Sequence, residues 1–231
     1  MKEWIDGLLN LLFPNCCLVC NGPVSREENY ICLDCLAGLP RTNFHLQRNN
    51  STEQIFWGQI PIERGTSFVY YHKGSDFNKI VYSLKYGKSK EIGDIMGKII
   101  ASEIKNSGFF ESIDLIIPIP LHKRKEKERG YNQSEWIAKG ISEISGIPVR
   151  NDLLIRKIHN PTQTKKTPFE RWENVKNIFE LSTQENLDEK HILLVDDVLT
   201  TGSTLLSASQ IICQAYKTKI SILTLAITST Q

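Results

Sequence analysis

The chain has 231 residues, which is enough for one large domain and a small additional module. With 40% hydrophobic and 23% charged residues, its composition is that of a globular protein with a packed core rather than of a disordered chain. The formal net charge of +2 is too small to indicate nucleic-acid binding by itself. No apolar run approaches the roughly 20 residues of a membrane span, so we expect no stable membrane insertion.

The first residues predict a short amphipathic helix. Trp4, Ile5, Leu8, Leu9 and Leu12 fall on one helical face, and the stretch lacks the small-residue cleavage site of a signal peptide. We expect the apolar face to pack on the protein, with contact to a membrane or a partner as the alternative.

Two C-x-x-C pairs follow, Cys17 with Cys20 and Cys32 with Cys35, and eleven residues separate them. Together the pairs offer the four thiolates of a tetrahedral structural Zn²⁺ site. Cys16 provides a competing register for the first pair, and free buried thiols or a redox pair are the alternative. Because no secretion signal accompanies the cysteines, we expect reduced thiols and a cytoplasmic protein.

Residues 41–60 are polar and lack a clear period, which indicates a connector. A strand is then predicted at 66–72, and helices at 75–86 and 91–106. The predicted domains are therefore a module at 1–45, a connector at 46–65 and a larger domain at 66–231. On residue type alone, Lys85 and its neighbouring lysines indicate either a solvated face or an anion site.

A predicted strand at 114–121 leads into the basic run HKRKEKERGYNQS and then a helix that begins near Ser134. Arg124 and Arg129 can each bind two phosphate oxygens, and Gly130 frees the backbone just before a helix N-terminus. The alternative is a basic surface loop in which Asn132 or Ser134 caps the helix.

Residues 152–158 predict the next parallel strand, and a polar, basic stretch follows it up to residue 179. This stretch contains Gln163 and Arg171 around a Thr-Pro break. On residue type alone it is an exposed basic loop.

The stretch 192–205, ILLVDDVLTTGSTL, combines a strand, a loop and the start of a helix. Its first four residues show no polar alternation, which is typical of a strand buried on both faces of a parallel sheet. Ligands of such sheets bind beyond the carboxyl ends of the strands, so Asp196 and Asp197 are expected at the mouth of a site. Strands alternate with helices up to a last strand at 219–227, which predicts a parallel α/β sheet.

The loop of this stretch offers hydroxyl groups, a glycine and free N–H groups where a helix begins, which suits a phosphate monoester. Carboxylates on one side and a phosphate loop on the other suit a sugar phosphate, because carboxylates accept from ribose hydroxyls or bind Mg²⁺. A buried strand with a well-capped helix is the alternative, but it does not explain two adjacent acids.

Position by position, this stretch resembles the phosphoribosyl pyrophosphate (PRPP) signature of type I phosphoribosyltransferases. The cysteine pairs after Phe13-Pro14 and the Arg-Gly-aromatic-Asn-Gln run after Pro-x-Pro-Leu extend the resemblance from about residue 12 to 227. Over this span the chain resembles the ComF competence family. The resemblance implies a parallel-sheet type I phosphoribosyltransferase fold with a small N-terminal zinc-ribbon-like module.

The resemblance also assigns expected roles to individual residues. The expected catalytic residues are Asp196 and Asp197. The 5-phosphate loop is expected at Thr200, Thr201, Gly202, Ser203 and Thr204. Pyrophosphate is expected at Lys85, Arg124, Arg129 and Gly130, a mobile loop at Gln163 and Arg171, and structural Zn²⁺ at Cys17, Cys20, Cys32 and Cys35.

These residues favour a Mg²⁺-dependent phosphoribosyltransferase linked to competence for DNA uptake, with PRPP or a ribose-phosphate nucleotide as ligand. The alternative is a non-catalytic adaptor that binds nucleotides or single-stranded DNA beside other competence proteins, with Tyr86 and Tyr131 as stacking candidates. A PRPP-sensing regulator is a third hypothesis. The sequence has no G-x-x-x-x-G-K-[ST] motif, so the protein is not expected to be the ATP-driven motor of DNA uptake.

Overall fold

The computed structural model of the chain describes residues 16–25, 30–72, 74–87, 89–157, 178–182 and 185–228. The strands of these residues are β1 (Ile62–Tyr71), β2 (Leu115–Pro118), β3 (Leu154–Arg156), β4 (Phe179–Leu181), β5 (His191–Leu199) and β6 (Lys219–Thr228). The α-helices are α1 (Leu33–Ala37), α2 (Ser51–Gln54), α3 (Asn78–Tyr86), α4 (Lys90–Ile104), α5 (Lys123–Arg129), α6 (Gln133–Ser145) and α7 (Ser203–Ala215). Single 3₁₀ turns lie at Phe44–Leu46 and Lys105–Ser107.

The main sheet has four strands in the order β1-β6-β5-β2, and all of its pairings are parallel. Strand β5 is therefore central, and its residues from Ile192 to Val195 are fully buried. Leu193 and Val195 join the core cluster of α3, α4 and α6, whereas Ile192 and Leu194 join the cluster of α7. The predicted parallel α/β sheet, with a strand covered on both faces, is confirmed.

The prediction that residues 152–158 form the next parallel strand is wrong. Strand β3 pairs antiparallel with β4 in a separate two-stranded sheet, and the parallel bridge beside β2 joins Ile116 to Val149 instead. The physical reason lies in burial. Leu153 and Leu154 are buried but Ile155 is 40% exposed, as fits a strand with one solvated face.

The basic run after β2 is not an open loop, because it forms the helix α5. His122 caps this helix, since its Nδ1 accepts the backbone N–H of Arg124 at 3.2 Å. Gly130 ends it with φ +87° and donates its N–H to the carbonyl of Glu126. Lysine, arginine and glutamate are good helix formers, so local propensity outweighed the expectation of a loop.

The polar stretch 41–60 contains α2 and packs against the sheet. Asn50 caps α2 by accepting the backbone N–H groups of Thr52 and Glu53. The Thr52 hydroxyl meets that of Ser67 on β1 at 2.8 Å, and Phe56 is fully buried. This segment therefore covers one edge of the core. The domain boundaries at 45/46 and 65/66 stay a prediction.

Within the part of the chain that the structure describes, no helix is both long and apolar enough to cross a membrane. The predicted N-terminal helix lies outside the described residues, as do Gln163 and Arg171.

Helices α4 and α6 approach each other through two glycines. A Cβ atom on Gly97 would lie 2.2 Å from the carbonyl oxygen of Ile137, and one on Gly140 would lie 2.1 Å from that of Asp94. Both contacts are with backbone, so neither can be relieved by rotating a side chain. Helices α4 and α6 cover one face of the sheet, and they can pack this closely only because both positions are glycine.

We expect Gly97→Ala to lower the free energy of unfolding by about 2 kcal/mol, because α4 and α6 must separate to admit the methyl group. Chemical denaturation monitored by circular dichroism measures the change. The control is Gly38→Ala, whose Cβ would lie 3.3 Å from its nearest neighbour. Equal effects of the two substitutions would contradict the close contact.

Candidate functional site

The two adjacent acids lie in the last half of the central strand β5. The Oδ1 atom of Asp196 accepts a hydrogen bond from the Ser134 hydroxyl at 2.9 Å and one from the Asp197 N–H at 2.9 Å. The Oδ2 atom of Asp197 pairs with Lys85 Nζ at 3.1 Å. Residues from α3, β5 and α6 thus meet at the carboxyl end of the sheet, where ligands of parallel sheets bind.

The environment of Asp196 is unfavourable to its charge. Burial raises the pKa of this carboxyl group to about 7, and the negative charge of Asp197 acts in the same direction. The hydrogen bonds from the Asp197 N–H and from Ser134, together with the charge of Lys85, offset part of the rise. A bound cation or a hydroxyl-rich ligand would favour the ionised form.

Four cationic side chains interact electrostatically with one another, and two of them, Lys85 and Arg156, also interact with the acids. Burial lowers the pKa of Lys125, and the charges of Arg156, Arg129 and Lys85 lower it further. Burial also lowers the pKa of the Arg156 guanidinium, while the negative charge of Asp196 partly raises it. Cationic groups that lie this close together favour one another's neutral form unless an anion binds among them. We call Lys85, Lys125, Arg129 and Arg156 the cation cluster.

Two members of the cation cluster, Lys125 and Arg156, were not singled out from the sequence. Lys125 lies within the basic run. Because that run was predicted as a loop, the sequence did not indicate that Lys125 lies on the inner side of a helix. Arg156 ends β3 directly before the predicted covering loop, and its guanidinium lies over the Phe179 ring at 5.6 Å. Its position at the end of a predicted strand that borders the site is the sequence feature that could have indicated a role for Arg156 in anion binding.

The predicted anion-binding residues fall in different places. Arg129 belongs to the cation cluster, where its Nη1 donates to Gln133 Oε1 at 2.7 Å. Arg124 has a 72% exposed side chain that pairs with Glu128, so it lies on the solvent face of α5. Asn132 caps α6 by accepting the Ser134 N–H at 3.2 Å. The basic surface and the helix cap foreseen as the alternative are therefore present beside the cation cluster.

The predicted 5-phosphate loop connects β5 to α7. Gly202 has φ +75° and immediately precedes α7, and a Cβ atom there would lie 2.5 Å from Ile55 Cγ2. The hydroxyls of Thr201 and Ser203 are 2.9 Å apart. The first N–H groups of a helix have no partner within the helix, so this turn presents hydroxyl and amide donors together.

A cavity of about 440 Å³ adjoins this loop at the ends of β1 and β6. Its described lining consists of neutral residues, which are Ser51, Gln54, Ile55, Tyr70, Thr200, Ile227 and Thr228. Because none of these described residues is charged, the cavity differs from the neighbouring cation cluster. It is suited to an uncharged group.

The four cysteines of the two C-x-x-C pairs come together. The Sγ atoms of Cys17, Cys20, Cys32 and Cys35 all lie within 4.8 Å of one another. Of the two cysteines that the sequence offered for the first pair, Cys17 and not Cys16 belongs to this group. Such a set can hold a metal ion such as Zn²⁺.

Backbone amides support this four-cysteine cluster. Val19 and Cys32 donate N–H groups to Cys17 Sγ, each at 3.4 Å, and Gly22 donates to Cys20 Sγ at 3.3 Å. Burial raises the pKa of the Cys17 thiol, but the N–H donors outweigh it and bring the pKa down to about 6. The donor geometry therefore fits a thiolate-bound metal.

The two tyrosines expected beside the basic residues differ in exposure. Tyr131 is buried, and its hydroxyl donates to the Leu84 carbonyl at 2.6 Å, so it offers no stacking surface. Tyr86 is 62% exposed, and its ring centroid lies 5.0 Å from that of Tyr82. The Arg129 guanidinium lies 5.7 Å from the Tyr86 ring.

Comparison with known proteins agrees with this geometry. The family model described as "Phosphoribosyl transferase domain" matches residues 85–229, which is more than half of the chain. The chain therefore belongs to the phosphoribosyl transferase domain family. The parallel-sheet fold predicted from the sequence, with an N-terminal four-cysteine cluster, is confirmed.

The relatives narrow the class to the ComF type, as the resemblance implied. "DNA utilization protein YhgH" of Escherichia coli K12 is 26% identical over 199 residues, covering 85% of this chain and 83% of that protein. "Competence protein F" of Haemophilus influenzae is 37% identical over 100 residues, covering 43% and 44%. "Competence protein ComFC" of Bacillus subtilis is 38% identical over 104 residues, covering 45% and 40%.

Solved structures that resemble the chain include adenine phosphoribosyltransferase from Leishmania tarentolae, with a TM-score of 0.40 and 14% identity over 82% of this chain and 94% of that one. Another is glutamine PRPP amidotransferase from Bacillus subtilis in complex with ADP and GMP. Its TM-score is 0.40, with 19% identity over 60% of this chain and 26% of that one.

Proposed function

We propose that this protein binds PRPP together with Mg²⁺ and transfers the phosphoribosyl group to an acceptor, as part of DNA uptake and transformation. The observation that carries the proposal is the placement of Asp196 and Asp197 at the end of a parallel sheet, where they interact with Lys85 and Arg156, two members of a cluster of four cationic side chains. A ligand with hydroxyl groups between two phosphate ends matches this charge pattern. The names of the competence relatives support the link to DNA uptake.

Each end of PRPP has a place in this arrangement. The 5-phosphate binds at the turn that includes Gly202, where amide and hydroxyl donors converge. The ribose hydroxyls donate to Asp196 and Asp197. The pyrophosphate lies against the cation cluster, with Arg129 and Arg156 each able to contact two oxygens.

The two carboxylates offer the hard oxygen ligands that Mg²⁺ prefers, so the residues fit this ion. When bound, Mg²⁺ supplies neutralisation of phosphate charge. In the transfer, the bond between C1 of the ribose and the pyrophosphate oxygen breaks, and the electron pair leaves with pyrophosphate. A lone pair of the acceptor then forms the new bond to C1. The cation cluster stabilises the departing charge, and no nucleophilic side chain is needed.

The neutral cavity beside Thr200 is the place where we propose that the acceptor enters. It adjoins the 5-phosphate loop, and Thr200 follows Asp197 by three residues, roughly 10 Å along an extended strand. An acceptor there lies close to the ribose without meeting the cation cluster.

Pyrophosphate release from PRPP in the presence of Mg²⁺ and candidate acceptors tests the catalytic step. We expect Asp197→Asn to reduce the rate at least about 100-fold, because it removes both a hydroxyl acceptor and the partner of Lys85. The control is Glu189→Gln, an exposed carboxylate just before β5 at the opposite end of the sheet. Equal rates for the two variants would contradict the proposal.

We also propose that the four-cysteine cluster holds a structural Zn²⁺. The convergence of four Sγ atoms and the N–H donors to Cys17 and Cys20 support this. A structural zinc stabilises a small module that has little core of its own.

A non-catalytic adaptor that binds single-stranded DNA is the second candidate. The exposed pair Tyr82 and Tyr86, with Arg129 beside it, favours this reading, because bases stack on exposed aromatic rings. Fluorescence anisotropy of a labelled oligonucleotide distinguishes it. Salt-dependent DNA binding that Tyr82→Ala weakens, without any pyrophosphate release, would favour the adaptor over the enzyme.

A further inference from the structure

Helix α3 contacts the cysteine module at one end and the acid pair at the other. In its first turn, Lys79 Nζ donates to the backbone carbonyl of Val19 and pairs with Asp76 at 3.0 Å. In its last turn, Lys85 Nζ lies 3.1 Å from Asp197 Oδ2. The helix has nine residues, so one rigid element joins the two places.

The position of Val19 is fixed by the cysteine cluster. Val19 lies between Cys17 and Cys20, and its N–H donates to Cys17 Sγ at 3.4 Å. Its carbonyl accepts from Lys79. One residue therefore links a cluster thiolate to α3 through its own two backbone groups, which gives a shift of the thiolate a route to Lys79.

Packing and a second contact extend the link to the site. Cys17 and Val19 belong to the same core cluster as Leu84, which lies in the last turn of α3. The Leu84 carbonyl accepts from the Tyr131 hydroxyl at 2.6 Å, and Tyr131 follows the Arg129-Gly130 end of α5. A displacement of α3 thus moves both Lys85 and a contact next to Arg129.

We propose that the cysteine cluster, acting through Val19 and Lys79, sets the position of α3 and so holds Lys85 against Asp197, which makes the affinity for PRPP depend on metal in the module. Lys79 is then a positioning residue, since it acts through Lys85. This inference rests on the proposed function.

The test compares PRPP affinity by isothermal titration with Mg²⁺. We expect Lys79→Met to retain zinc but to weaken binding about 3- to 10-fold, which lies in the lower part of the range of couplings between contacting groups. Lys79→Arg, which keeps the donor and the charge, should restore most of the affinity. The matched control is Lys98→Met, because Lys98 also has two partners, Asp94 and Glu143, each at 2.9 Å.

A double-mutant cycle separates positioning from general destabilisation. If Lys79 acts mainly through Lys85, Lys79→Met and removal of zinc each have a smaller effect on affinity in a Lys85→Met background than in the wild type, and the remainder passes through the Tyr131 contact next to Arg129. Independent effects of Lys79 and Lys85 that simply add would overturn the inference. An unchanged affinity of folded, zinc-free protein would overturn it as well.

Amide hydrogen exchange of residues 80–86 needs no ligand and separates this inference from the proposed function. We expect faster exchange after zinc removal and in Lys79→Met, whether or not PRPP binds. Unchanged exchange in Lys79→Met overturns the coupling. If exchange of residues 80–86 becomes faster as expected but the protein does not bind PRPP, the proposed function is overturned. The inference that zinc controls PRPP affinity is then overturned with it.

Discussion

Asp196→Asn is expected to weaken PRPP binding by at least about 100-fold while making the free protein more stable at pH 8. The loss of binding follows because an amide gives one acceptor oxygen where the carboxylate gives two, and it has no charge. The gain in stability follows because burial beside Asp197 opposes ionisation of Asp196 and raises its pKa to about 7. At pH 8 we expect the free energy of unfolding to rise by about 1 to 3 kcal/mol.

The pH dependence distinguishes this effect from ordinary repacking. Asp196 has a higher pKa in the folded chain than its ordinary value of 3.8, so the unfolded state releases its proton first as the pH rises. Its ionisation therefore costs folding stability progressively between about pH 4 and pH 7. Urea denaturation should show no difference between Asp196→Asn and wild type at pH 4 and the full difference at pH 8.

Glu189→Gln serves as the control for the same chemical change, since Glu189 has a 72% exposed side chain that pairs with the exposed Lys217. Its effect should stay within about 1 kcal/mol. A destabilised Asp196→Asn protein at pH 8 would contradict the raised pKa.

Cys20→Ser is expected to abolish zinc binding and to lower the free energy of unfolding by about 3 kcal/mol or more. The substitution leaves three thiolates of the four-cysteine cluster, which weakens a tetrahedral site strongly. The module then loses the bond that holds its two cysteine pairs together, and its contacts with the larger domain weaken. Metal analysis and thermal unfolding of the purified variant measure both effects.

Arg41 makes two of the contacts that we expect to weaken in Cys20→Ser. It pairs with Glu103 of α4 at 2.6 Å and donates to the Leu36 carbonyl at 2.9 Å. Cys213→Ser is the control, because Cys213 lies on α7, apart from the cysteine cluster. Zinc retained at full stoichiometry by Cys20→Ser, or lost equally by Cys213→Ser, would contradict the assignment.

Local patterns in the sequence were sufficient for the features that depend on few neighbours. The unbroken apolar run before Asp196 predicted the buried central strand, because only a strand covered on both faces lacks polar alternation. The spacing of the cysteine pairs predicted their convergence, because each pair lies on a tight turn. These features were confirmed in the structure.

Features that depend on tertiary neighbours could not be predicted in the same way. Leu154 begins a strand, as expected, but its partner lies beyond a basic stretch of more than twenty residues, and the antiparallel pairing has no local signature. Lys125 and Arg156 join the cation cluster, and Arg156 comes under the charge of Asp196, only because α5 and β3 fold to the same edge of the sheet. Tyr131 is aromatic and next to a basic residue, yet its burial depends on α3.

The most direct measurement of the central claim is a ³¹P NMR titration of PRPP with Mg²⁺, using wild type and the Asp196→Asn, Asp197→Asn double variant. In the wild type we expect saturable changes in both the 5-phosphate and the pyrophosphate resonances, because the loop at Gly202 and the cation cluster hold opposite ends of the ligand. In the double variant we expect no saturable change over the same range. Equal changes in both proteins, or no change in the wild type, would contradict the assignment of this site to PRPP.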